Sequence, residues 1–328
     1  MTRYGHGLVP GRFHPPHAGH HHLVRTARDR CERLTVLVRA TAADSLPLED
    51  RVAWMREIHP DVLVVGGEEY TGPERVDAVF TARPYAAGPG HALGAETVLV
   101  DRVLPLTGTA VRADPAAFWD HLEPPVRAAL TRRVVVLGAA SSGATTMARA
   151  LTDHYRRRGG VWARTRCVPD HAAEYRAPGP AGDPGADPAA VPLRSADFPV
   201  IAQRQAEGEE EAARDGSPVL FCDSDAFATT IRHERHMGTT SPAACEIAAH
   251  GRQALWLLTD HRGVDGADDT DPLRPWTTAR LLTQLAHTGR RTAVLTGPHE
   301  ERLAAAVAAV DGLLAEGPHP TEPPPELR

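Results

Sequence analysis

A chain of 328 residues is too long for one ordinary core and suggests two domains, each able to bury its own apolar surface. Its net charge of −6 and pI near 6.3 supply no basic field for nucleic acid. Cys31, Cys167, Cys222 and Cys245 form no C-x-x-C pair, and no run is apolar enough for a membrane span or a signal peptide.

The expectation is a cytoplasmic protein with neither nucleic acid nor membrane as partner, whose anionic ligands are held by local geometry. The sequence contains no lysine and no asparagine, so all 36 basic side chains are arginines. Lysine Schiff-base chemistry is thereby excluded.

From residue 5 to about 130, β-rich runs alternate with helical patterns. GLVPGRF is followed by a helix from His20 carrying Leu23, Val24, Ala27 and Cys31 on one face, then by LTVLVRA. A helix bearing Leu48, Val52 and Met55 precedes the strand candidates DVLVVGG, VDAVF and ETVLVD. This rhythm predicts a parallel sheet with functional residues at the strands' carboxyl ends. A second alternation runs through RRVVVLG, VWARTRCV, PVLFCDSD, ALWLLTD and RTAVLTG, and predicts a separate α/β sheet. Residues 177–192 are rich in Pro and Gly and read as a mobile loop, and the tail over 317–328 reads as disordered. The domains are therefore expected at 1–130 and 131–316.

The segment GRFHPPHAGHHHLV has the pattern G-x-F-x-P-x-H-x-G-H, with Gly11, Phe13, Pro15, His17, Gly19 and His20 at its fixed positions. It follows a predicted strand and opens a helix. Glycines let backbone approach a phosphate, and two histidines three apart can face one α-phosphate from the first turn. A solvated histidine patch or an adventitious metal site would explain neither the glycines nor Phe13. Arg12 adds a cation beside the motif. Further on, LTGTAVR offers Thr107, Gly108 and Thr109 at a helix start and Arg112 one turn in, which suits the β- and γ-phosphates of a nucleotide.

GAASSGATT, residues 138–146, has the spacing and the strand-loop-helix setting of a P-loop. Gly138, Ser141, Ser142, Gly143 and Thr146 would wrap the phosphates, and Thr145 takes the hydroxyl position that reaches Mg²⁺. Ala144 stands where such a loop carries its lysine. An ammonium about 4 Å from a phosphate charge contributes roughly 4 kcal/mol at an effective dielectric near 20. Losing all of that in a transition state would slow the reaction about a thousandfold. Asp223 and Asp225 end a predicted strand, where they suit either Mg²⁺ or a turn and helix cap.

The two phosphate motifs of the first half resemble the nucleotidyltransferase superfamily. The chain as a whole is similar to the bifunctional NMN adenylyltransferase and ribosylnicotinamide kinase (NadR-type) family, in an actinobacterial-like variant without the P-loop lysine. The resemblance extends over ADPAAFWDHLEPPVR, DFPVIAQRQAEGEEEAAR and LFCDSDAFATT. It implies a nucleotidyltransferase-type Rossmann-like domain followed by a P-loop kinase-like α/β domain. It also implies transfer of AMP from MgATP to nicotinamide mononucleotide, giving NAD and pyrophosphate.

On this chain His17 and His20 would stabilise the reacting α-phosphate, while Thr107 and Arg112 would hold the leaving pyrophosphate. In the second domain Asp170 would accept a hydroxyl proton from nicotinamide riboside, Asp223 and Thr145 would hold Mg²⁺, and Arg274 would come from a lid. Thr81, Ala82 and Arg83 replace an expected serine-glutamate pair, which leaves the acceptor to be read nearby, by Trp54 or Trp119 among others. Another phosphorylated acceptor, a non-catalytic NAD or ATP sensor, a silent kinase domain and a homo-oligomer all stay open at this point.

Overall fold

The computed structural model describes residues 3–41, 44–82, 88–102, 104–175, 192–262 and 271–316. Two compact units emerge, one ending at Leu130 and the other spanning Thr131–Glu316. The expected loop lies outside the described residues except for Pro192, and Arg83 and the tail lie outside them altogether.

The first unit runs β1 (Tyr4–Gly11), α1 (Ala18–Arg28), β2 (Cys31–Arg39), α2 (Leu48–Ile58), β3 (Leu63–Gly67), β4 (Ala78–Thr81), α3 (Gly88–Ala92), β5 (Glu96–Leu99), α4 (Gly108–Ala113) and α5 (Pro124–Leu130). Its strands form one parallel sheet in the order β3-β2-β1-β4-β5. Short β-branched runs suit these positions because a parallel sheet is covered on both faces. Val9, Val36, Val38 and Phe80 are buried in it, and Leu23, Val24 and Ala27 of α1 pack into the same core. Each fully buried Val or Leu side chain contributes about 1.5–3 kcal/mol.

Two boundaries differ from the expected ones. His17 already caps α1 and the helix opens at Ala18. Cys31 lies on β2 and not on the helix. Turn bonds from Asp29 and Arg30 to Arg25 and Ala27 close α1, and Cys31 then pairs with Tyr4 of β1.

The second unit runs β6 (Arg132–Gly138), α6 (Ala144–Arg156), β7 (Arg166–Val168), α7 (His171–Glu174), α8 (Asp197–Asp215), β8 (Val219–Cys222), α9 (Ala226–Met237), α10 (Pro242–Ala249), β9 (Gln253–Thr259), α11 (Arg274–His287), β10 (Thr292–Leu295) and α12 (His299–Ala315). Its parallel sheet has the order β10-β9-β6-β8-β7. The first half of VWARTRCV lies in a 3-10 turn over Gly160–Arg164, closed by Thr165, which donates through both its amide and its hydroxyl to the Trp162 carbonyl. Only Arg166–Val168 is strand.

In each sheet the first strand of the unit, β1 or β6, has neighbours on both sides that are reached by crossovers in opposite directions. That geometry opens a crevice at the strand's carboxyl end, where α/β sheets bind ligands. Among the described residues no helix is long and apolar enough to cross a membrane.

Candidate functional site

Beyond the end of β1 lies a cavity of about 450 Å³. Gly11, Arg12, Phe13, His14, His17, Gly19, His20, Thr107, Gly108, Thr109 and Arg112 all line it, so two motifs some ninety residues apart converge on one space. The joint is direct: Arg112 donates through Nη1 to the His14 carbonyl and through Nη2 to Thr109 Oγ1 at 3.4 Å. A Cβ on Gly108 would stand 2.6 Å from the same His14 oxygen, so only glycine permits this approach. Thr107 caps α4, its hydroxyl accepting from the Ala110 amide at 3.1 Å.

The His17 and His20 rings stack with centroids 3.8 Å apart, and Phe13 lies 5.0 Å from His20. His17 is 4% exposed. Burial, aided by the charges of Arg102 and His121, pushes its imidazole down to about 4. At neutral pH the ring is uncharged, and its Nδ1 has no protein partner among the described residues. His14 is likewise lowered to about 4, by burial and then by Arg112. Its Nε2 accepts from the Leu46 amide at 3.0 Å.

Arg12 pairs with Asp44. Burial alone would raise the Asp44 carboxyl, but hydrogen bonds from Arg12 and Thr41 and the charge of Arg51 outweigh it and hold the group below its ordinary value. Arg51 is 1% exposed and donates to the carbonyls of Arg12 and Arg39, fixing the loop after β1 from behind. Arg39, Arg102 and Asp101 also line the cavity. These residues lie outside both motifs, so sequence spacing could not single them out. Thr81 and Ala82 sit on the wall, at the end of β4. Trp54 and Trp119 are 7% and 0% exposed. Both are core residues, so neither reads the acceptor from the cavity wall.

The second cavity, about 390 Å³, opens beyond β6. Gly138, Ser141, Ser142, Gly143, Thr145, Thr146, Asp170 and Asp223 line it together with Ala144. Gly143 has φ +85, and a Cβ on Gly138 would lie 2.0 Å from Ser142 Oγ and 2.1 Å from Thr259 Oγ1, so both glycines are required by the loop. Ser142 is 1% exposed and its hydroxyl is bound to Thr259 at 2.7 Å. That side chain braces the loop from the sheet side.

Arg274, expected in a lid, is instead 3% exposed, with Nη2 donating to the carbonyls of Ser141 and His261. It is a brace from below. Arg302 of α12 does the same for the Ser142 carbonyl. Three non-glycine residues with positive φ occur among the described residues, Phe13, Ser141 and Ser224. Each lines one of the two cavities, where backbone strain is characteristically kept.

Asp223 and Thr145 both line this cavity. The Asp223 carboxyl is raised, chiefly by burial and against the Thr145 hydrogen bond, with the Asp170 charge adding to the rise. A carboxylate and a hydroxyl are hard oxygen donors, and Mg²⁺ takes few protein ligands, completing its shell with phosphate and water. The residues fit that ion. Among the described residues no group of three His, Cys, Asp or Glu side chains forms a self-sufficient metal centre.

Asp225 is a cap and not a ligand: it accepts from the Ala228 amide at 2.7 Å and from Trp256 Nε1 at 2.8 Å. Gln205 ties the two cavity loops together, accepting from the His171 amide and donating to the Ser224 carbonyl. Arg232 of α9 grips Asp170 with two bonds of 2.6 and 3.2 Å, and Arg235, one turn on, is bound to Asp271. Both arginines line the cavity.

A family model described as an AAA domain matches residues 133–302, more than half of the chain. The chain is 24% identical to the trifunctional NAD biosynthesis/regulator protein NadR of Escherichia coli (strain K12), over 78% of this chain and 68% of that protein. The NadR of Salmonella typhimurium matches with the same identity and coverage. A crystal structure of a NadR protein in complex with NAD and AMP-PNP superposes with a TM-score of 0.71 at 19% identity, covering 95% of this chain and 96% of that one. A second, in complex with NR, gives 0.72 at 20% identity with the same coverage. The chain belongs to the AAA-domain family through its second unit and, over most of its length, is homologous to NadR.

Proposed function

We propose that the first unit is an adenylyltransferase of NAD biosynthesis, joining the AMP part of MgATP to nicotinamide mononucleotide with release of pyrophosphate, and that the second unit binds nucleotide on its P-loop. The observation that carries the reading is the convergence of His17, His20, Thr107 and Arg112 on one cavity at the switch point of a parallel sheet. The name of the bacterial relatives and the ligands in the two neighbouring structures support the same chemistry.

The phosphate oxygen of the mononucleotide attacks the α-phosphorus of ATP, and the bond to the β-phosphate bridging oxygen breaks. His17 and His20 act as hydrogen-bond donors to the α-phosphate oxygens. A neutral His17 supplies an N–H at no cost in buried charge, and the arriving polyanion raises its proton affinity as negative charge grows. Arg112 and Arg12 hold the departing pyrophosphate. Mg²⁺ supplies charge neutralisation on the phosphate oxygens. The protein's share of the rate enhancement is positioning and electrostatics, with no covalent intermediate.

The test offers the purified chain MgATP with nicotinamide mononucleotide in one tube and nicotinamide riboside in another. NAD from the mononucleotide is the expected product, and its absence overturns the reading in favour of another phosphorylated acceptor or a non-catalytic sensor. NAD from the riboside as well makes the second unit an active kinase, with Asp170 as the base for the riboside hydroxyl.

A further inference from the structure

The second cavity has the wrapping loop of a phosphate site but lacks its usual cation. Ala144 cannot supply one, and the sequence holds no lysine that could reach in from elsewhere. Arg274 and Arg302 lie close beneath the loop, yet both are buried and point their donors at backbone carbonyls. Among the described residues, the cations on the cavity wall are Arg232 and Arg235.

Their placement follows from helix geometry. Positions 228, 231, 232 and 235 share one face of α9, and all four line the cavity. Arg232 rests on Asp170 and Arg235 on Asp271. These pairs are partly solvated, the arginines 29% and 25% exposed and the aspartates 20% each. Each arginine already holds two charge-assisted bonds to a single carboxylate, and a triphosphate, which carries several negative charges, competes for the same donors.

We propose that Arg232 and Arg235 take the place of the loop lysine, leaving their aspartates to grip the β- and γ-phosphates of a nucleoside triphosphate seated on residues 138–146. The proposal rests on reading this cavity as a nucleotide site. It has a consequence for order of events: Asp170 is masked by Arg232 until the triphosphate arrives, and is released to an acceptor hydroxyl only then.

The experiment is photolabelling of the full chain with 8-azido-ATP and Mg²⁺, with labelled peptides of residues 131–316 identified by mass spectrometry so that the first cavity is read separately. The apparent affinity should fall about tenfold in Arg232→Met or Arg235→Met and about a hundredfold in the double variant. Ala144→Lys placed in the double variant should recover most of the loss, while the surface change Arg157→Met should do nothing. A double variant that labels like the original chain overturns the proposal and leaves the nucleotide site standing. A double variant that loses labelling and is not rescued by Ala144→Lys also overturns it, because the arginines then hold the fold and not the phosphate. Absence of label in the original chain's 131–316 peptides overturns the nucleotide site itself.

Discussion

His17 combines three properties that rarely occur together: it caps a helix, it is almost wholly buried, and its Nδ1 has no protein partner among the described residues. A buried imidazole with an idle nitrogen costs stability unless a ligand meets it. In the ligand-free protein the ring should therefore stay neutral down to about pH 5, since burial holds its proton affinity near 4. Nitrogen-15 NMR of the histidine rings checks this, and Mg–AMP-PNP should move the His17 titration upward by at least one unit. His17→Ala should lower adenylyl transfer at least about a hundredfold, some 2.7 kcal/mol of transition-state stabilisation, while nucleotide binding changes only a few-fold. A variant that keeps full turnover would remove His17 from the chemistry. In the second cavity Asp223 and Thr145 place a stricter demand on Mg²⁺, because burial raises the Asp223 carboxyl and the nearby charges of Arg149 and Arg232 only partly offset it. Chelation of the metal and Asp223→Asn should weaken nucleotide labelling of residues 131–316 to a similar extent, and the two effects should not add.

At the scale of elements, Arg302 ties the P-loop to three other segments from behind. Arg302 on α12 donates to the carbonyls of Gly297, Ser142, Asp260 and Arg262, so it joins the loop, the end of β9 and the entry to its own helix. Its charge is buried, with 4% exposure. Arg302→Met would leave several buried acceptors short of a donor, at about 1–3 kcal/mol each. The expected loss is at least about 3 kcal/mol of second-unit stability, read from hydrogen exchange at the amides of β6 and β9. An unchanged exchange pattern would show that water replaces the guanidinium. Nothing local in the sequence marks Arg302. Strands such as RRVVVLG and the two glycine-bearing loops were legible because each is specified by neighbours in the chain. The braces Arg51, Arg274 and Arg302, and the pairs Arg232–Asp170 and Arg235–Asp271, depend on which distant segments the sheets bring together. Arg274 was visible only as an arginine of an expected lid, and Cys31 as the end of a helical stripe, because periodicity does not show where a turn intervenes.

Across the whole molecule, the two units should respond to pH with opposite signs. In the first, His14 and His17 are lowered to about 4 and His21 to about 3, all chiefly by burial. His21 is also bound through Nδ1 to His59 Nε2 at 3.0 Å, a pair that needs the accepting ring neutral and cannot survive with both rings protonated. Between these values and about 6.5 the unfolded chain binds protons that the native unit refuses. Stability of the first unit therefore rises with pH up to about 6.5 and is flat above it, with a slope of about 1.4 kcal/mol per pH unit for each proton involved. In the second unit Glu209 is raised to about 8, by burial and then by the charge of Asp225. Here the native unit holds a proton that the unfolded chain releases above about 4.5, so stability falls as pH rises through 8. The window from pH 6.5 to 7.5 separates the two: the first unit should be constant while the second loses about 1 kcal/mol. Hydrogen exchange, corrected for its intrinsic pH dependence, reads β1 and β2 against β6 and β9 in one sample. Glu209→Gln should flatten the slope of the second unit and leave the first untouched, and a slope that survives this change would move its origin away from Glu209.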